Sequence, residues 1–82
     1  MEKVYILLEI DNFTGQSIIL QTKMTMEECN DYLTEYIRKN SILIGGYHYS
    51  IIACQLDGPP ISSHTIYKEG LLKLIGKKDI YD

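Results

Sequence analysis

Tryptophan is absent from this 82-residue chain, phenylalanine occurs once, and proline and cysteine occur twice each. Two cysteines, Cys29 and Cys54, are too few for the disulfide framework of a small secreted domain, and both sit in apolar surroundings. They read as reduced thiols acting as small core hydrophobes. Together with His48 and His64 they form neither a C-x₂-C nor an H-x₃₋₅-H pair, so the spacing offers no zinc site, and neither metal nor cofactor is expected. No apolar run approaches the ~18 residues of a membrane span, and the chain does not start with a basic segment followed by an apolar one. The expectation is a cytoplasmic protein (host cytoplasm if the source is viral) without membrane association.

Positive charge is also scarce. The net charge is −3: residues 1–40 carry seven acids against four bases, and residues 41–82 carry four of each. A protein that lives by gripping nucleic-acid backbone shows a basic excess or a basic face, and apart from Lys77 and Lys78 neither is visible. Catalytic patterns are missing as well. Gly45-Gly46 leads into a strand-like segment and not a helix, so it lacks the geometry of a phosphate-cradling loop. Neither cysteine has a sequence-legible activating base. The chain is expected not to be an enzyme.

What remains is a single domain, residues 1–82, with 45% apolar and 23% charged residues, a globular composition. Its most distinctive stretch is Val4–Ile10, apolar on both faces: Val4, Ile6, Leu8 and Ile10 on one side, Tyr5 and Leu7 on the other until Glu9 intervenes. A strand of this kind belongs in the middle of a sheet with cover on each side. Asn12–Gln16 carries turn chemistry, and Ser17–Lys23 completes a hairpin. Thr25-Met26-Glu27-Glu28 fits a capping box, and Met24 with Cys29 can form a hydrophobic staple. The helix it opens runs from about Met26 to Lys39, with Met26, Cys29, Leu33, Tyr36 and Ile37 along its apolar side.

Ile42–Ile44 reads either as a short strand or as a loop packing beneath the helix end. Tyr47–Leu56 is rich in aromatic and branched residues and reads as a strand ended by Asp57-Gly58-Pro59-Pro60. A second helix is expected from about His64 to Ile75, capped by Ser62 or Ser63 and stopped at Gly76. The fold class is α+β, a ββαβα two-layer domain. Its three-stranded, mainly antiparallel sheet has order 2-1-3, with one well-formed helix and a C-terminal helix. The first helix is expected over Val4, Ile6, Leu8, Ile18 and Leu20, and the opposite face awaits the C-terminal helix or another molecule.

Tyrosine is the compositional outlier, at seven residues. Its flat body and polar tip suit interfaces. The leading expectation is therefore a non-enzymatic protein–protein interaction module acting by stoichiometric binding. Its partner is a second copy in a homodimer or another protein, as when a phage-type accessory or inhibitor protein engages its host. The expected contact residues are Tyr5, Leu7, Ile19, Tyr47 and Tyr49, with the acidic helix side Glu27, Asp31 and Glu35 as a secondary surface. The alternative is a single-stranded nucleic-acid or nucleotide-binding domain that stacks bases on the same aromatic sheet face.

Overall fold

The computed structural model describes residues 3–40 and 44–76. Strand β1 (Lys3–Asp11) pairs antiparallel with β2 (Ser17–Lys23) on one edge and with β3 (Tyr47–Gln55) on the other. The β1–β2 turn is tied by the Asp11 carboxylate, whose Oδ1 accepts from the amides of Phe13 at 2.7 Å and Thr14 at 3.1 Å. Gly15 supplies the positive φ of +76° that closes the loop. The expected 2-1-3 order is present, and a fourth strand extends it: β4 (Pro60–Ile66) pairs antiparallel with β3, giving the order β2-β1-β3-β4.

Helix α1 (Met26–Asn40) begins where the sequence predicts and runs one residue further than predicted. The Thr25 hydroxyl accepts from the Glu28 amide at 3.1 Å and donates to the Glu28 carboxylate at 3.1 Å. One orphan amide of the first turn is thereby satisfied, while Glu28 turns to the cap's side chain and not to its backbone. Met24 stays 54% exposed and Cys29 is fully buried. Cys29 Sγ lies 3.6 Å from the Tyr5 carbonyl, so this residue locks the helix to the sheet.

The C-terminal region differs from the reading above. Residues 64–66 belong to β4, and helix α2 is shorter, Lys68–Leu74, with Tyr67 and not Ser62 or Ser63 at its N-cap. The reason is the edge position of β4. Ser62, Ser63, His64 and Thr65 are all exposed, so the strand carries no apolar alternation, and only Ile66 enters the core. Pro60 opens this strand at an edge, where a missing N–H costs no central ladder bond. Gly76 ends the helix with φ +81°, as expected of a C-terminal glycine. The Ile42–Ile44 question is answered only at its end: residues 41–43 lie outside the described residues, and Ile44 opens a 3-10 turn, Ile44–Gly46, leading into β3.

Both helices cover the same side of the sheet. The core gathers Cys29, Leu33 and Ile37 of α1 and Leu71 of α2 with Leu7, Tyr49, Ile51 and Ile66 of the sheet, and Tyr5 and Tyr47 pack against it. This reverses the expected arrangement, in which α1 covered Val4, Ile6 and Leu8. A bulge between Leu7 and Leu8 sends Leu20 to the helix side, while Ile19 pairs with Leu8 on the other. The result is a slab open on one side, with a radius of gyration of 13.0 Å. Arg38 Nη2 donates to the Ile75 carbonyl at 2.7 Å, tying the end of α1 to the end of α2.

Gly70 marks the tightest approach in this layer: a Cβ added there would stand 2.9 Å from Ile66 Cγ2. Ile66 is buried and β-branched, so it has no free rotamer to yield. Gly70→Ala is expected to lower stability by about 1 kcal/mol in urea unfolding, the reverse of the roughly 1 kcal/mol gain that alanine gives in an open helix.

Candidate docking face of the sheet

Because paired residues share a face, the register assigns the side opposite the helices. It carries Val4, Ile6, Leu8 and Ile10 of β1, His48, Ser50, Ile52 and Cys54 of β3, Ser17, Ile19 and Thr22 of β2, and Pro60, Ser63 and Thr65 of β4. None of these residues is an Asp, Glu, Lys or Arg. The four charged residues of the strands (Lys3, Glu9, Asp11 and Lys23) all have register positions on the helix side. The centre is aliphatic, through Ile6, Leu8 and Ile52, and the margins carry small hydroxyl residues. Antiparallel sheets with one solvated face normally alternate apolar and polar residues. Here the alternation is absent from β1, and no described segment lies over its second face.

Sequence reasoning chose the other side. Leu7 and Tyr49 are fully buried beneath the helices, and Tyr5 and Tyr47 are partly buried against the same core. Of the five expected contact residues, Ile19 alone stands on the open side, 65% exposed. The tyrosines of β1 and β3 are therefore not displayed as a platform for stacking bases. Glu27, Asp31 and Glu35 are exposed on α1, in the opposite layer from the open face. Cys54, expected as a core hydrophobe, is only half-buried on the open face. The alternation of β1 identified which residues share this face, since its even-numbered residues include no polar side chain while its odd-numbered ones include Tyr5 and Glu9. An all-apolar row by itself favours the inside, so the pattern pointed to the wrong side.

Beneath the helices Glu9 serves a structural end. Its residue is 8% exposed, and Tyr49 Oη donates to Oε2 at 2.8 Å. Burial and that hydrogen bond push the Tyr49 phenol well above its ordinary pKa. Tyr36, near the same carboxylate, is pushed up to about 12, first by burial and then by the Glu9 charge. Burial also raises the Cys29 thiol, which makes it a poor nucleophile.

Two smaller polar arrangements lie at the edges. Asn12 Nδ2 donates to the Gly45 carbonyl at 3.0 Å, which leaves its Oδ1 to accept from His48 Nδ1 at 2.6 Å. The His48 ring is thereby oriented, and it stacks on Tyr67 with centroids 5.2 Å apart, at one end of the open face. On the helix side a cleft of about 280 Å³ is lined by Asn30, His64, Ile66, Gly70, Lys73 and Leu74. Among the described residues, no three His, Cys, Asp or Glu side chains gather at metal-binding distance, and no helix is long and apolar enough to cross a membrane.

These features define a class: a two-layer α+β domain with both helices on one side of a four-stranded antiparallel sheet and an uncharged face on the other. Comparison with known proteins yields no family model, curated protein or solved structure that matches the chain.

Two outcomes follow from the Glu9 cluster. Tyr49→Phe removes a donor from a buried carboxylate and is expected to cost about 1–3 kcal/mol in denaturant unfolding. The raised phenols hold their protons more tightly in the folded chain than in the unfolded one, so their contribution is complete below pH ~10 and is lost as pH rises through the folded value, about 12 for Tyr36. Absorbance and circular dichroism followed together at alkaline pH should show the Tyr36 and Tyr49 phenols ionising only as the fold is lost. Their ionisation near pH ~10 in the intact fold would exclude this account.

Proposed function

We propose that this protein acts by stoichiometric protein binding through the open face of its sheet. The observation that carries this reading is the uncharged, aliphatic surface built by Val4, Ile6, Leu8, Ile10 and Ile52 while both helices pack on the other side. Single exposed hydrophobic side chains are ordinary on a soluble protein, but a contiguous apolar patch across a whole sheet face marks a contact surface. Its layout follows the anatomy of interfaces, with an apolar centre at Ile6, Leu8 and Ile52 and a rim of Ser17, Thr22, Ser63 and Thr65. Truncating a central aliphatic residue of such a contact, as in Ile6→Ala, would cost about 2 kcal/mol of binding.

The surface is suited to binding and offers little for chemistry. His48 is its one titratable imidazole, and it is stacked and tethered at the margin. The acidic side of α1 lies on the far layer and is free to face solvent while the sheet is occupied.

The test is site-specific photocrosslinking in cells that make the protein. A photoreactive residue replacing Thr65, on the rim of the open face, should give a discrete protein adduct, and one replacing Asp31 on the acidic side of α1 should not. Equal labelling from both positions, or no adduct from Thr65, would remove the open face as the docking surface.

A further inference from the structure

We propose that the occupant of the open face is a second copy of this chain, docked sheet to sheet. This rests on the reading of that face as a docking surface and adds the identity of its partner.

Size is the first argument. Four strands spaced about 4.8 Å apart, each presenting roughly seven residues at about 3.4 Å, make a face of about 19 by 24 Å, or roughly 450 Å² in projection. Side-chain relief raises the accessible area to roughly 600–700 Å², near the low end of the ~800 Å² per partner of a standard interface and above the scale of incidental contacts. A small dimer of this kind needs the whole face, and the whole face is free of charge.

Charge is the second argument. An unlike partner is commonly selected by complementary potentials, and this face has none to offer. A surface of aliphatic and small hydroxyl residues is compatible with itself, as a two-fold contact requires. The chain's net charge of −3 opposes self-association in general. Sheet-to-sheet docking places the helix layers, with Glu27, Asp31 and Glu35, on the outside of the pair, where the like charges are furthest apart.

Geometry is the third. Twisted antiparallel sheets pack face to face about 10 Å apart with strands inclined by about 30°, their side chains interdigitating. The central pairs Ile6–Ile52 and Leu8–Ser50 provide one such inner surface. Ser50 pairs with Leu8 at the centre of this surface, so small and large side chains alternate there, as interdigitation between two such faces requires. The assembled dimer is a four-layer helix–sheet–sheet–helix sandwich. His48 and Tyr67 lie at one end of the contact and Cys54 at the other.

Light scattering in line with gel filtration, at loading concentrations about a hundredfold apart, reads this directly. The expected mass at high concentration is twice the 9.4 kDa of the chain. Ile52→Lys sets like charges on the two facing sheets and should weaken the dimer about a hundredfold or more, while circular dichroism stays unchanged because in the monomer this side chain faces water. Ile6→Thr, which keeps β-branching and so keeps the strand, should weaken it about tenfold. Alkylation of Cys54 should slow with rising concentration in the wild type and not in Ile52→Lys. A wild-type mass of 9.4 kDa throughout overturns the inference, and so does a dimer that both variants leave intact. If the wild type is monomeric but the Thr65 photocrosslink captures a different protein, the second copy is excluded and the docking face stands. A monomer with no Thr65 adduct removes both.

Discussion

Strand β1 gives both rows of its backbone amides and carbonyls to neighbours, β2 on one edge and β3 along all nine of its residues on the other. That double pairing is what the rest of the structure depends on. It places the most apolar strand of the chain at the centre of the sheet, and it makes β2 and β3 run parallel to each other, since each is antiparallel to β1. Two parallel strands cannot be joined by a tight turn, so the chain must cross β1 on one side, and α1 is that crossing. Once α1 lies on one side, Tyr5, Leu7 and Glu9 become core and Val4, Ile6 and Leu8 become surface.

The choice of side has consequences that hydrophobicity alone would not produce. Crossovers between parallel strands follow one hand almost without exception, because strand twist and helix hand are both set by L-residue sterics. The helices here cover the face that contains a carboxylate, and the fold accommodates it by supplying a phenol: Tyr49 donates to Glu9 inside the core. A buried carboxylate without such a donor would be strongly destabilising. The tyrosines that make the composition unusual are thus partly explained by a polar group that the topology draws inside. Tyr36 is drawn into the same cluster from α1.

With both helices spent on one side, the aliphatic side remains. The described residues supply one covering layer, and α2, shortened to seven residues because β4 takes its predicted first turn, joins α1 instead of crossing the sheet. The uncharged open face follows from that economy. On the proposed reading the second cover of β1 comes from another molecule, and the fold and the proposed function are then one constraint at two scales.

Local order was legible in the residues themselves. Thr25 and Glu28 mark the start of α1, Gly76 the end of α2, Asn12–Gln16 the hairpin loop, and the two-sided apolarity of Val4–Leu8 the central strand, because caps, turns and alternation depend on neighbours a few positions apart. β4 was not legible, since an exposed edge strand such as Ser62–Thr65 has no buried face to impose a pattern. The side covered by the helices was not legible either: β1 is apolar both ways, and the period of two says which residues share a face but not which face is inside. The sequence alone determined that the strand is apolar on both faces. Tertiary structure decided which of them the helices cover, because the hand of the crossover is a property of the connected, twisted sheet and not of any residue within it.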